Sequence, residues 1–165
     1  MYFFSRLIKS ISLLCLLALP FTAPARADGD DVLFHMVSAD GKTSLDVTDA
    51  VIEKVGTISF KANLPSTDNP ISEVKGPRLR DLIAATGLKS SLVTIKALDG
   101  YEMDIPAEDF DRYDVIVATE VEGQRISRRT RGPGWVAYPS VEHPELMGDV
   151  YLARCVWQVK DIIIK

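Results

Sequence analysis

Residues 76–87 read GPRLRDLIAATG, and how this stretch is read decides the fold around it. Pro77 suits a first helical position, where an N–H would have no partner, and Gly87 suits the residue that closes a last turn. Between them Leu79, Leu82 and Ile83 recur at i, i+3 and i+4. The spacing predicts one short amphipathic helix with a single apolar stripe. Such a stripe must be buried against another layer, and the flanking sequence supplies strands to bury it.

On the N-terminal side, residues 32–37 are β-branched and aromatic, 39–42 (ADGK) form a turn, and 44–47 answer as a second strand, which predicts a hairpin. Thr48 can cap a short helix over 49–54, and Gly56 can end it before a strand at 57–62. Residues 63–75 carry Pro65, Asp68, Asn69 and Pro70 and read as a loop. On the C-terminal side, 92–98 alternate as a half-buried strand, Asp99-Gly100 is a tight turn, and 101–105 return. Pro106 opens a short acidic turn through Asp111. Residues 114–121 form a long apolar strand, with Glu122-Gly123 as its turn and 124–127 as its partner. Strands at 135–138 and 156–164 complete the chain. Strands outnumber helices about two to one, and most connect as hairpins. The expected class is therefore α+β, a single domain with a mixed, mainly antiparallel sheet and a few short helices.

Residues 1–27 belong to a different category. Arg6 and Lys9 precede the apolar run 11–19, Pro20 breaks it, and Ala25-Arg26-Ala27 follows, which reads as a secretory signal cleaved after Ala27. The run is short for a bilayer span, which takes about 20 residues. Cys15 follows Leu13 and Leu14 rather than the small residues a lipid anchor needs. The expected product is an exported, periplasmic protein without stable membrane insertion. Taking Arg6, Lys9 and Arg26 from the 19 bases leaves 16 against 23 acids, a formal −7. That sign argues against a nucleic-acid binder. Cys155 is the one cysteine left, so no internal disulfide can form, and its place in 154–157 reads as buried strand.

Five pieces then follow in order: GPRLRDLI at 76–83, ALDGY at 97–101, residues 118–123, RGPGWVAYP at 131–139, and WQVKDI at 157–162. The succession resembles the sulfite oxidase-type molybdopterin-binding domain and covers residues 28–165. In catalytic members of that family, the strand before the Gly-x-x-Leu-x-Asp-Leu helix ends in a cysteine whose thiolate holds molybdenum. Here that place reads ISFKAN, 58–63, without cysteine. Neither Phe60 nor Lys61 can replace a soft thiolate. The resemblance therefore implies a pocket for a pterin without its metal.

A pterin is a flat polar bicycle, which calls for an aromatic face and for donors and acceptors at its edge. On the resemblance, Trp135 supplies the face, and Phe60 and Lys61 stand at the place of the lost ligand. Asn63 donates and accepts, Asp99 takes an amino and ring N–H pair in a two-point contact, and Tyr101 adds a hydroxyl. Arg131 meets a carbonyl edge or an anionic tail. An indole at 135 walled into the interior, far from position 60 and from any cleft, would remove this reading. The same residues also admit a plainer one: an ordinary Gly-Pro-Gly turn, a core tryptophan and solvated loop arginines.

Short exported proteins of this fold that lack the cysteine resemble periplasmic regulators. These are thought to bind a reduced pterin and report it to a transmembrane diguanylate cyclase and phosphodiesterase in cyclic di-GMP signalling. The basic stretch 125–131 would be the docking surface for that partner's periplasmic domain. Two alternatives remain: a molybdopterin-dependent oxidoreductase subunit with a cysteine-free cofactor site, and an exported scaffold whose Trp135 pocket is filled by its own side chains. His35, His143 and the acidic group Glu108, Asp109, Asp111 and Asp114 read as structural or solvated rather than metal-ligating. The group reads as a solvated helix face.

Overall fold

The computed structural model describes residues 31–65 and 70–165. The expected signal at 1–27 and the loop residues Asp68 and Asn69 lie outside these. In chain order the strands are β1 (Phe34–Ser38), β2 (Ser44–Val47), β3 (Ile58–Asn63), β4 (Ile71–Gly76), β5 (Leu92–Ala97), β6 (Glu102–Pro106), β7 (Ile116–Ala118), β8 (Glu120–Val121), β9 (Gln124–Arg125), β10 (Trp135–Ala137) and β11 (Val159–Ile164). The helices are α1 (Asp49–Val55), α2 (Leu79–Ala85), α3 (Ala107–Arg112) and α4 (Asp149–Arg154). A five-stranded sheet runs β2-β1-β11-β5-β6, a four-stranded one β3-β4-β8-β9, and β10 pairs with β7. Among the described residues only β1 and β11 pair in parallel. The α+β class with mostly antiparallel sheets is thus as the pattern predicts. No helix among the described residues is long and apolar enough to cross a membrane.

Most of the local chemistry acts as expected. The side chain of Thr48 accepts from the Val51 N–H, and Gly56, at φ 87°, ends α1. Leu79, Leu82 and Ile83 are buried from α2. They join Phe34, Met36, Val93, Ile95 and Ile162 in the larger of two apolar cores. The smaller core holds Ala62, Leu64, Val74, Ile116, Ala118, Ile126, Trp135 and Ala137.

Four expectations are corrected. Residues 71–76 are not loop but strand β4, paired along its length with β3. Its inward positions are Ser72, Val74 and Gly76, while Ile71 faces out, so the period-2 pattern is masked by small inward side chains. Pro77 is not the first helical residue. Arg78 is the cap, extended at ψ 139°, because the Pro77 carbonyl accepts from Val117 N–H and the Val115 carbonyl from Leu79 N–H. Cross-strand bonding delays the start of the helix from Pro77 to Leu79. The apolar run 114–121 is two strands that serve different sheets, β7 against β10 and β8 between β4 and β9. The closing strand begins at Val159, not at 156, because α4 precedes it. Cys155 ends that helix and is buried but not in a strand.

Candidate functional site

The seven residues expected around one ligand do not line one pocket. Trp135 sits in β10 opposite Ala118, is 2 % exposed, and donates its indole N–H to the Cys155 carbonyl at 3.1 Å. Both faces are walled by the chain, so this ring offers no stacking surface. Phe60 packs against the same apolar cluster and, unlike Trp135, reaches a cleft, one it lines with Arg78, Arg80 and Tyr113. Lys61 is exposed on β3. Asn63 ends the strand with its backbone N–H donated to Ser140 Oγ at 2.8 Å.

Asp99, Tyr101 and Arg131 are grouped differently. A cavity of about 400 Å³ is lined by Asp99 and Tyr101 from the β5–β6 turn, by Leu152, Ala153, Cys155, Val156 and Trp157 around the end of α4, and by Pro65 and Ala97. The Asx turn fixes Asp99, one of whose oxygens accepts the Tyr101 N–H at 2.9 Å. The Tyr101 hydroxyl donates to the Ala153 carbonyl at 3.2 Å. Arg131 is held in the left-handed region at φ 70°. Its guanidinium lies 5.4 Å from the Trp135 ring and 5.7 Å from that of Trp157. The two indoles meet edge to face at 6.1 Å. Of the arginine-rich loop, then, Arg131 is an indole clamp. Arg125 is paired with Asp49 at 2.6 Å, and Arg128 and Arg129 are exposed.

The indole face at the cavity is that of Trp157, a half-buried ring that also packs against the smaller core. Its signal is faint: it lies three residues beyond α4, a six-residue helix too short to display a period. The only marks of that helix are an acid after Gly148 and a base at Arg154, matching the helix dipole.

Asp109 corrects the reading of the acidic residues as a solvated face. It is 5 % exposed and accepts from the Tyr138 hydroxyl and from Arg154 Nη1, each at 2.7 Å. Burial first, and then the Asp109 carboxylate, push the Tyr138 phenol well above its ordinary value. Asp114 is also paired, with Arg78 Nε at 2.9 Å and with Arg80. His35 bonds Asp46 at 2.8 Å, and His143 lies edge-on to Tyr113 at 5.1 Å.

Cys155 lines the cavity, and burial pushes its thiol up to about 12. A thiol that holds its proton is neither a nucleophile nor a metal ligand. Folded protein at pH 8 is therefore expected to react with a disulfide reagent only as fast as it opens, whereas denatured protein reacts at once. The unfolded thiol ionises near its ordinary 9.0, so the unfolded state sheds a proton that the folded state keeps. Stability should then fall as pH rises from about 9 toward about 12. Rapid labelling of folded protein would contradict this burial.

No family model matches the chain, and no curated protein matches it.

Proposed function

We propose that the chain is an exported, non-catalytic pterin-binding protein of the sulfite oxidase-type molybdopterin-binding fold. On this reading it senses a reduced pterin in the periplasm and reports it to the periplasmic domain of a transmembrane diguanylate cyclase and phosphodiesterase. The observation that carries the proposal is the cavity of about 400 Å³ where the half-buried Trp157 ring, the Asp99 carboxylate and Tyr101 converge on apolar walls. A flat heterocycle can lie against the indole while its amino and ring N–H edge meets the carboxylate. Each carboxylate oxygen has two acceptor sites, so the bond from Tyr101 N–H leaves room for both. Molybdenum does not fit the residues present: the only cysteine among the described residues is Cys155, whose thiol stays protonated. The partner and the family rest on the sequence resemblance, and the compartment on the signal-like residues 1–27. Arg128 and Arg129 are the exposed cations of the proposed docking surface.

Calorimetry of the mature protein with tetrahydrobiopterin is expected to give saturable binding. Asp99→Asn should weaken it by about tenfold, the worth of a charge-assisted contact. Trp157→Ala should weaken it by a similar factor through lost stacking. Trp135→Ala is the wrong probe, because it empties a core position. A second reading, an exported scaffold without a small ligand, draws support from the burial of Trp135 by the chain's own side chains. Absence of heat with any reduced pterin, and of any co-purifying small molecule by mass spectrometry, would leave that reading standing.

A further inference from the structure

The wall of the cavity formed by α4 is built unlike the rest of the domain. No residue of this six-residue helix is fully buried, and its Tyr151 is only partly buried against the larger core, so the apolar effect that fixes α2 against the sheet does less for it. On either side the chain is anchored: Leu146 is 1 % exposed before it, and Cys155 and Val156 are 4 % and 3 % exposed after it. At the near end stands Gly148, where an added Cβ would meet nothing closer than the Glu145 carbonyl at 3.7 Å, so the chain there is uncrowded. What holds α4 is polar and aromatic. Arg154 reaches the buried Asp109 of α3, the Ala153 carbonyl takes the Tyr101 hydroxyl, and Tyr151 leans on Tyr138 with ring centres 5.6 Å apart. One of these tethers bears directly on the cavity, since Tyr101 and Ala153, its two ends, both line it. The outer surface of the same segment is apolar and open: Val150 is 60 % exposed and Met147 40 %.

We infer that α4 is a hinged wall of the ligand cavity, positioned by the Asp109–Arg154 pair, and that occupancy of the cavity and docking of α4 are thermodynamically coupled. This rests on the proposal that the cavity takes a reduced pterin. A ligand seated against Leu152, Ala153 and Trp157 touches the docked wall and loses those contacts when the wall lifts. It therefore shifts the population toward the docked state, and whatever docks α4 tightens the ligand by the same factor. Asp109 and Arg154 are positioning residues, since their side chains face each other rather than the cavity. The open apolar surface at Val150 and Met147 would change its presentation as the wall moves, which gives the bound state an outward sign.

Hydrogen exchange on the intact mature protein, with and without tetrahydrobiopterin, tests the coupling. Amides of residues 149–155 are expected to open by local fluctuation in the free protein, faster than those of β5 and β11, and to slow by about tenfold or more when ligand saturates, as a coupling near 1.4 kcal/mol requires. Arg154→Gln should speed exchange in this segment and weaken the ligand, while Arg154→Lys should restore part of both. Binding compared with the unfolding midpoint of each variant separates positioning from general destabilisation. Affinity that falls only in proportion to the unfolded fraction would overturn the inference. So would ligand binding that leaves exchange at 149–155 unchanged, and in that case the pterin proposal itself would survive. No binding by the unmodified protein would instead remove the pterin proposal.

Discussion

Gly76→Ala is expected to cost more than about 4 kcal/mol, enough to deplete the folded state of a domain of this size. The added methyl carbon would stand 2.7 Å from Ala118 Cα and 2.8 Å from the Val117 carbonyl carbon, and it would overlap the Val117 carbonyl oxygen. All three are backbone atoms in the middle of β7, and backbone cannot rotate aside as a side-chain tip can. Gly76 ends β4 opposite Ile58 of β3, where the four-stranded sheet passes over the β7–β10 pair, and the close approach is what seals the smaller core between them. Guanidinium or thermal unfolding of Gly76→Ala beside the parent gives the check. A variant as stable as the parent would mean that β4 and β7 are farther apart than described.

Asp109→Ala carries the second large effect, about 3 to 5 kcal/mol of lost stability, the range for removing one partner from a buried charge pair. The carboxylate is the common acceptor for the Tyr138 hydroxyl and the Arg154 guanidinium. Removing it leaves a phenol with its donor unpaired inside the protein and a cation only 20 % exposed at its side chain. The phenol, on a residue 1 % exposed, has no water to turn to, and the guanidinium keeps only part of its hydration. Asp109→Asn keeps the shape and one acceptor but loses the charge, so its cost should be smaller. The ordering Asp109→Ala below Asp109→Asn below parent in unfolding midpoint is the expected result. Equal midpoints for all three would show that the pair contributes nothing net.

These two sites mark where sequence reading ends. Gly76 was visible as a residue before a helix, and its actual constraint, a carbonyl from residues 41 positions later, has no local trace. Asp109 stood in a row of acids that reads as a solvated face, and only the arrival of Tyr138 and Arg154 on one side of α3 turns it inward. β4 has no period-2 apolar signature because its buried positions are serine, valine and glycine, while its bulky Ile71 points to solvent. The amphipathic α2, the 32–47 hairpin and the Thr48-capped α1 were legible because short-range rules alone explain them: an apolar stripe at helical spacing, a turn between β-branched runs, and a cap side chain with its glycine stop.

The candidate site divides along the same line. The resemblance singles out Asp99 and Tyr101 at a tight turn and Arg131 beside an indole; the first two line the described cavity, and Arg131 lies over the Trp157 ring at its edge. The resemblance points to Trp135, which is 2 % exposed, whereas the indole that lines the cavity is that of Trp157. Both rings touch the smaller core, but β7 and that core enclose Trp135 to 2 % exposure, while Trp157 stays half-buried and lines the cavity at the end of α4. A side chain's type and its near neighbours are written in the chain and determine helix, turn and strand; which of two like rings meets a ligand depends on contacts between segments far apart in sequence, and burial by such contacts exists only once the chain has folded.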